Sequence, residues 1–389
     1  MADDLRLVDV QNEHLDDVLR VRSRSFGLLE AGRREEWKAD AQAWIAGGRI
    51  LGVMDGNEVV ASARYWPFEQ WWSGRKVPMA GVAGVVVAPE YRGRGVGSMV
   101  MRGILARAVE QGYPLSALYP ATTVIYRHLG YEFGGGRYRY TFPAADLRSL
   151  GGKEVSVRRA GPGDAARFLE LAGELHSSGR SSGPLVWPEA KIVEWLAEDN
   201  SFCYLADDGF VVYGWQSGKL RVEELMAGSE ATARALWSVV GSGSSISTDV
   251  DAYLSPDDPA NFLVPTEADK NTQVEHWMLR VLDAPAAISA RGFAPGASLE
   301  VDLDLDDSEL GANTGRWHLS VSNGSGSLTP VTSTGDALRL GSRGLTALYA
   351  GTPLASVRKA GLAWGGSSAD DGAIDTAFSG ATPYMLDYF

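Results

Sequence analysis

The segment 89–103, PEYRGRGVGSMVMRG, sets Arg92 and Arg94 among Gly93, Gly95 and Gly97. Glycines let backbone N–H groups come close to a ligand, and guanidinium groups pair well with phosphate oxygens. A β-rich run, VPMAGVAGVVVAPE, precedes the loop. Behind it Val96, Val100, Ile104 and Ala108 recur every four residues, which predicts an amphipathic helix ending near Gly112. A loop between a strand and a helix start offers unpaired N–H groups and a positive helix end to an anion. A Walker A loop would need a lysine that is absent, and a Rossmann fingerprint needs a G-x-G-x-x-G spacing that Gly93-x-Gly95-x-Gly97 lacks. The pattern that fits is R-x-x-G-x-G over Arg92–Gly97, an anion site suited to a pyrophosphate.

Other residue types could also do chemistry. Tyr126 lies on a short helix, TTVIYRHLG, where a phenol either packs or donates a proton. His128 follows two residues later and falls on another helix face, while Tyr131 beside the glycine break is expected to pack. The histidines, at 14, 128, 176, 276 and 318, show no metal-ligand spacing. The acidic run VDLDLDDSE alternates with period two, so it reads as a strand with a solvated face, and no metal is expected. Cys203 sits in an apolar strand and reads as core. Phe26, Trp37, Trp66, Trp71 and Trp72 could line a pocket for a cationic amine. For Phe26 and Trp37, pocket and core are balanced; for the other three, packing is expected.

A chain of 389 residues implies two or three domains. Its 45% hydrophobic content supplies a large core, yet no apolar run reaches the ~18–20 residues of a membrane span. The net charge of −13 argues against general nucleic-acid binding. A single cysteine excludes an internal disulfide framework and suits a cytoplasmic protein, as does an acidic start with no signal-peptide core.

The elements that must hold the loop follow from pattern. RLVDV predicts a strand, and NEHLDDVLRVRSRSF a helix capped by Asn12. RILGVMDGNEVVASARYWPF predicts a hairpin around Asp55-Gly56-Asn57. YPLSALYPA predicts a strand and YEFGGGRYRYTF a final strand pair. A linker-like patch covers roughly 143–155. A second β-α-β-β unit follows, with a hairpin around Asp208-Gly209 and a strand and helix in ELMAGSEATARALWSVVGS. The glycine–arginine loop is not repeated here, and GSEATARALW is its nearest positional equivalent. A third unit is expected to begin near WMLRVLDAPAAISARGF, with alternating strands VDLDLD and WHLSVS and a helix at ASVRKAGLAW.

The loop, the strand GVVVAP before it and the segment IYRHLGYEF after it resemble the GNAT N-acetyltransferases. AGVAGVVVAP, WMLRVLDAPAAISARGF, LTALYAG and the aromatic end ATPYMLDYF extend the resemblance, over essentially the whole chain, to the Eis (enhanced intracellular survival) branch. The resemblance implies an α/β (α+β) fold. Its parts are a catalytic GNAT domain at 1–145, a degenerate GNAT domain at 155–283 and an α+β sterol-carrier-protein-like domain at 286–389. Each GNAT fold has a central mixed sheet flanked by helices. It implies acetyl-CoA as cosubstrate, held by Val85, Val86, Val87, Arg92, Gly93, Arg94, Gly95, Val96, Gly97, Ser98, Ala121 and Thr122. It makes Tyr126 the proton donor and the terminal carboxylate of Phe389 the proton acceptor. It implies a small-molecule primary amine as acceptor (an aminoglycoside-like polyamine or a lysine side chain), with Phe26 and Trp37 as candidate contacts, and a homohexamer. Two departures stand out: Arg-Gly-Arg replaces a denser arginine run, and Gly84 stands where a bulky residue can border the acceptor. A non-catalytic acyl-CoA-binding or regulatory module is the alternative, and an intact Tyr126 and chain end argue against it. A lipid-binding protein, judged on the third unit alone, would leave the glycine loop without purpose.

Overall fold

The computed structural model describes residues 5–265 and 272–389. The first unit supplies β1 (Leu5–Asp9), β2 (Ile50–Asp55), β3 (Glu58–Trp72), β4 (Arg75–Val87), β5 (Leu115–Leu118) and β6 (Glu132–Pro143). Its helices are α1 (Leu15–Phe26), α2 (Ala31–Ala46), α3 (Val96–Glu110) and α4 (Thr123–His128). The β2–β3 hairpin turns at Gly56 and Asn57, as the sequence predicts. The expected Asn12 cap does not form: a 3-10 turn covers Asn12–His14, and the Asn12 carboxamide instead accepts from Gln42 on α2. No capping signal announces α2, whose N-cap Glu30 makes no side-chain bond. Burial of Trp37, Ala41 and Trp44 against α1 and the sheet holds it.

The second unit supplies β7 (Arg158–Ala160), β8 (Leu185–Val186), β9 (Phe202–Ala206), β10 (Gly209–Gln216), β11 (Lys219–Ala227), β12 (Asp249–Leu254) and β13 (Gln273–Val281). With the first unit's strands these form one sheet in the order β1-β2-β3-β4-β5-β13-β6-β12-β11-β10-β9-β7, with β8 on β3. The last strands are thus exchanged. β13 enters the first unit between β5 and β6, and β6 runs on to pair with β12. The expected pair in YEFGGGRYRYTF is therefore one continuous strand. Its glycines are places of close approach rather than a break. A Cβ at Gly134 would overlap the Trp277 ring, and one at Gly135 the Pro383 carbonyl.

WMLRV, where the sequence suggested the third unit begins, is part of β13. The third unit opens with a helix at Ala284–Ala290 and builds a separate sheet. That sheet joins β14 (Leu299–Asp306), β15 (Gly315–Ser322), β16 (Ser325–Pro330), β17 (Leu338–Gly341) and β18 (Ala363–Gly365). The expected helix at ASVRKAGLAW ends at Lys359, and its last residues enter β18. The core of this unit is continuous with one face of the large sheet: Trp72, Met79 and Trp277 pack with Leu345, Leu348 and Tyr349. The opposite face packs α3 through Val96, Val100 and Ile104.

A fully buried ion pair joins the units. Arg280 on β13 grips both oxygens of Asp307 at 2.6 Å, and the two side chains are 0% and 3% exposed. The same guanidinium donates to the carbonyl of Leu129 at 2.9 Å, at the end of α4, and to that of Val281 at 3.0 Å. Gly130 makes room for it, with a φ of 86° and a notional Cβ only 2.7 Å from the Arg280 Cζ. Nearby, Glu132 bridges Arg127 on α4 and Arg343 of the third unit. Replacing Asp307 by Ala leaves a buried cation unpaired, which costs about 3–5 kcal/mol. Chemical denaturation of the full chain should show that loss, and the Arg280→Met/Asp307→Leu double variant should recover part of it.

Candidate active site

β4 and β5 run parallel for only three pairs, Met79↔Leu115 to Gly81↔Ala117. β5 stops at Leu118 while β4 continues to Val87, so the two strands diverge and the last six residues of β4 lack a partner on that side. Val85 and Val87 turn partly toward α3, and Val86 is buried against Val21 of α1. Backbone N–H groups at such a divergence are free for a ligand.

The glycine loop caps the open end. Gly93 and Gly95 have φ of 75° and 81°, and Gly95 is the left-handed N-cap of α3. A Cβ on either would meet nothing within 4 Å, so the backbone is bare toward solvent. The first-turn N–H groups of Val96, Gly97 and Ser98 have no acceptor within the helix. Arg92 reaches back to the Val87 carbonyl and Ser25, each at 3.3 Å, and Arg94 lies over the Tyr91 ring. Gly97 allows contact with α4, since a Cβ there would lie 3.1 Å from Ile125. The exposed Ala121 and Thr122 lead into α4, with Thr122 as an N-cap whose hydroxyl makes no capping bond. The start of α3 thus lies against α4 and against Val87 at the end of β4.

Tyr126 is 7% exposed, its ring edge-on to Tyr131 at 5.9 Å. Burial pushes its phenol up to about 12, so it keeps its proton at neutral pH. Tyr131 is fully buried, with its hydroxyl 2.7 Å from Ser116. His128 is exposed on the other side of α4. Burial pushes the Cys203 thiol up to about 12, which makes it inert. Among the described residues no cluster could hold a metal ion.

The chain end reaches the divergence of β4 and β5. Pro383 and Met385 exchange backbone hydrogen bonds with Gly136, and Tyr384 N–H donates to the Ser182 carbonyl. Gly135 and Gly183 clear the track, since side chains there would overlap Pro383 and Tyr384. Arg137 donates to the Leu386 carbonyl at 2.8 Å, and the Tyr119 hydroxyl to that of Asp387 at 2.7 Å. The Phe389 ring then lies 5.2 Å from Phe68 on β3 and 5.8 Å from Tyr119 beyond β5. Gly81, the last β4 residue paired with β5, faces it: a Cβ there would sit 2.9 Å from the Phe389 ring. The terminal residue of the third unit thus sits where β4 and β5 part.

Trp66 and Phe68 stack along β3, and Trp44 on α2 joins them with Trp37 behind. Trp37 is nearly buried, whereas Phe26 is exposed at the end of α1. Trp71 and Trp72 are buried away from this wall, Trp72 against Trp277 and Tyr349. Gly84 lies at a β-bulge with φ of 60°, and the guanidinium of Arg64 fills the space where its side chain would stand. Pattern reasoning passed over Phe68, Tyr119 and Arg64. For Arg64 the signal was a charge in β3 between apolar neighbours.

Comparison with known proteins places this geometry. Residues 6–134 and 183–281 each match an Acetyltransferase (GNAT) domain family, and residues 284–386 match the Sterol carrier protein domain. The crystal structure of a GCN5-related N-acetyltransferase from Kribbella flavida is 68% identical, with a TM-score of 0.98 over 100% of this chain and 99% of that one. An uncharacterized N-acetyltransferase of Streptomyces griseus is 30% identical over 370 residues, 85% of this chain and 86% of that one. N-acetyltransferase Eis of Mycobacterium tuberculosis is 28% identical over 303 residues, 72% of this chain and 73% of that one.

Three acids crowd the approach of the chain end. Glu223, Glu224 and Asp387 line a cavity of about 280 Å³ with Trp187 and Trp195. Burial, reinforced by Asp387, pushes Glu224 from 4.5 up to about 8, and burial pushes Asp387 up to about 6. A carboxyl raised on folding favours the native state while protonated. Its contribution is full below the unfolded value and is lost as pH rises through the folded one. The protein should therefore lose stability as pH rises from about 4.5 to about 8, with Asp387 contributing only up to about 6. Glu224→Gln should flatten that slope in thermal denaturation, and an unchanged slope would show that Glu224 is ionised throughout.

Proposed function

The chain belongs to the GNAT N-acetyltransferases, in the Eis-type arrangement of two GNAT domains and a sterol-carrier-like domain, and from that premise we propose how its own residues transfer acetyl from acetyl-CoA to a primary amine. Residues 1–145 form the catalytic domain, 155–283 the degenerate partner and 286–389 the domain that delivers the chain end. The observation that carries the reading is the seat of Phe389 at the divergence of β4 and β5, below the glycine loop.

The residues present suit the cosubstrate. The bare backbone at Gly93 and Gly95, the first-turn N–H groups of Val96–Ser98 and the arginines Arg92 and Arg94 bind the pyrophosphate. Val85–Val87, unpaired along the gap, orient the thioester arm, and a β4 N–H near Val87 holds the carbonyl oxygen where negative charge develops. Ala121 and Thr122 border the coenzyme from the α4 side. The amine nitrogen bonds to the acetyl carbon, the carbon–sulfur bond breaks, and the thiolate leaves. Tyr126 donates a hydrogen bond to that sulfur. With its phenol near 12 and an ordinary thiol at about 8.5, complete proton transfer is uphill by roughly 5 kcal/mol. Tyr126 thus stabilises the departing charge more than it protonates it. The Phe389 carboxylate, as an α-carboxyl with a pKa of about 3.3–3.7 in water, is a weak base. It binds and orients the amine and accepts its proton directly or through a water.

The acceptors implied by the Eis resemblance are polyamines of the aminoglycoside kind and lysine side chains; of the two aromatic contacts it suggests, Phe26 is exposed at the end of α1 and Trp37 lies buried behind the wall. A cytoplasmic homohexamer belongs to the same proposal. Thiol release from acetyl-CoA across a panel of amines tests it, and no release with any amine would overturn it.

Tyr126→Phe should lower turnover by on the order of 10²–10⁴-fold with acetyl-CoA affinity unchanged. Near-normal turnover would make the tyrosine a packing residue.

A glycine appended after Phe389 shifts the carboxylate by up to roughly 3.3–3.6 Å, beyond hydrogen-bond reach. Turnover should fall sharply while calorimetric coenzyme affinity persists, and deletion of Phe389 should do the same. Normal turnover in the extended protein would remove the carboxylate from the mechanism.

A further inference from the structure

Arg64 lies on β3 opposite Ala83, beside the β4 bulge. Its guanidinium stacks on the Trp44 ring at 4.2 Å and occupies the space beside Gly84. Its Nε is buried without a hydrogen-bond partner. Asp40 is a favourable charge in the neighbourhood and Arg22 an opposing one. Burial is the main effect and pulls the group down to about 10. A guanidinium presents five N–H donors in a planar fork, and leaving such donors desolvated and unpaired is costly. Packing on Trp44 accounts for the stack but satisfies no donor.

The position gives the fork a purpose. Arg64, Trp66 and Phe68 alternate along β3 and share one face of the sheet. Trp66 touches Trp44 beneath Arg64, and Phe68 touches Phe389. One aromatic wall therefore runs from this half-buried guanidinium, whose Nε has no partner, to the chain-terminal residue. Gly84 and Arg64 form a matched set, because any side chain at 84 would displace the guanidinium.

We propose that Arg64 binds a carboxylate of the acceptor, so that the natural substrate is an amine that also carries an acid, of the amino-acid or short-peptide class, rather than a polycation. The amine lies toward Phe389 and the carboxylate toward Arg64, with the aliphatic part against Trp66. The inference rests on the transferase reading of this site and replaces the polyamine acceptors of the Eis resemblance with amines that carry an acid, the lysine side chain of a free amino acid or short peptide among them.

The test compares 6-aminohexanoate with hexylamine, and shorter ω-amino acids with alkylamines of matching length, by kcat/KM for thiol release. The wild type should prefer the carboxylate member of at least one pair by tenfold or more. Arg64→Met should erase that preference by a 10–100-fold fall on the acid alone, with the alkylamine within about threefold. Arg64→Lys, which keeps the charge and loses the fork, should fall between. A wild type without preference, or an Arg64→Met loss equal on both members, overturns the inference while leaving the transferase reading intact. Should no amine support thiol release, the transferase reading falls. Calorimetry of 6-aminohexanoate on the acetyl-CoA complex then decides the binding claim: affinity lost in Arg64→Met supports it, and affinity absent or equal in both proteins overturns it.

Discussion

The ion pair of Arg280 and Asp307 is the contact on which the arrangement of the units depends. A cation with no solvent exposure is tolerable only when every donor is matched. Here the matching groups come from three places: Asp307 in the third unit, Leu129 at the end of α4, and Val281 on the exchanged strand. Asn313 ties Asp307 further, to the Leu282 carbonyl and the Ala284 N–H. No one unit can satisfy this network alone. Its completion fixes the helix that carries Tyr126 relative to the domain that carries Phe389. Glu132, shared between Arg127 and Arg343, holds the same joint from a second direction.

The strand exchange has a similar logic. A sheet edge left by the first unit at β5 would expose unpaired backbone groups. β13 covers that edge, and β6 carries the sheet into the second unit through β12. The second unit lacks the glycine loop, yet its β13 completes the sheet of the first. The glycines of β6 then acquire two uses in one strand: Gly134 admits the Trp277 ring, and Gly135 and Gly136 admit the chain end.

How much was legible follows from whether a feature is local. The helix behind the glycine loop, the Gly56-Asn57 hairpin turn and the short helix with Tyr126 rest on residues adjacent in sequence and formed where expected, while the second hairpin turns one residue earlier, at Asp207-Asp208 with Gly209 already in β10. Features set by distant partners were not legible. Nothing near Asn12 reveals that Gln42 will take its side chain. Nothing in GGG distinguishes a turn from a strand whose neighbours press close. Pocket and core were balanced for Trp37 and packing was expected of Trp66, yet α2 placed Trp37 behind the wall and β3 placed Trp66 within it. Gly84 was visible as a departure, but its meaning depended on Arg64, twenty residues away in the chain.

That last pair shows how one backbone detail can redirect chemistry. Two β4 residues oppose one on β3 at the bulge, and Gly84 takes the left-handed conformation that makes the step. A glycine here answers a backbone need and simultaneously empties a side-chain site. Arg64, from the facing strand, fills it with a charge in place of a hydrocarbon. On the proposed reading the coenzyme half is untouched, since Tyr126, Val85 and Val87 pack with α3 on the other face of the sheet. Acceptor choice can therefore vary at the bulge without disturbing acetyl binding. On the proposed reading, the Phe389 carboxylate and the Arg64 guanidinium are opposite charges at the two ends of the β3 aromatic wall, so electrostatics orients a zwitterionic acceptor before any shape fit is invoked.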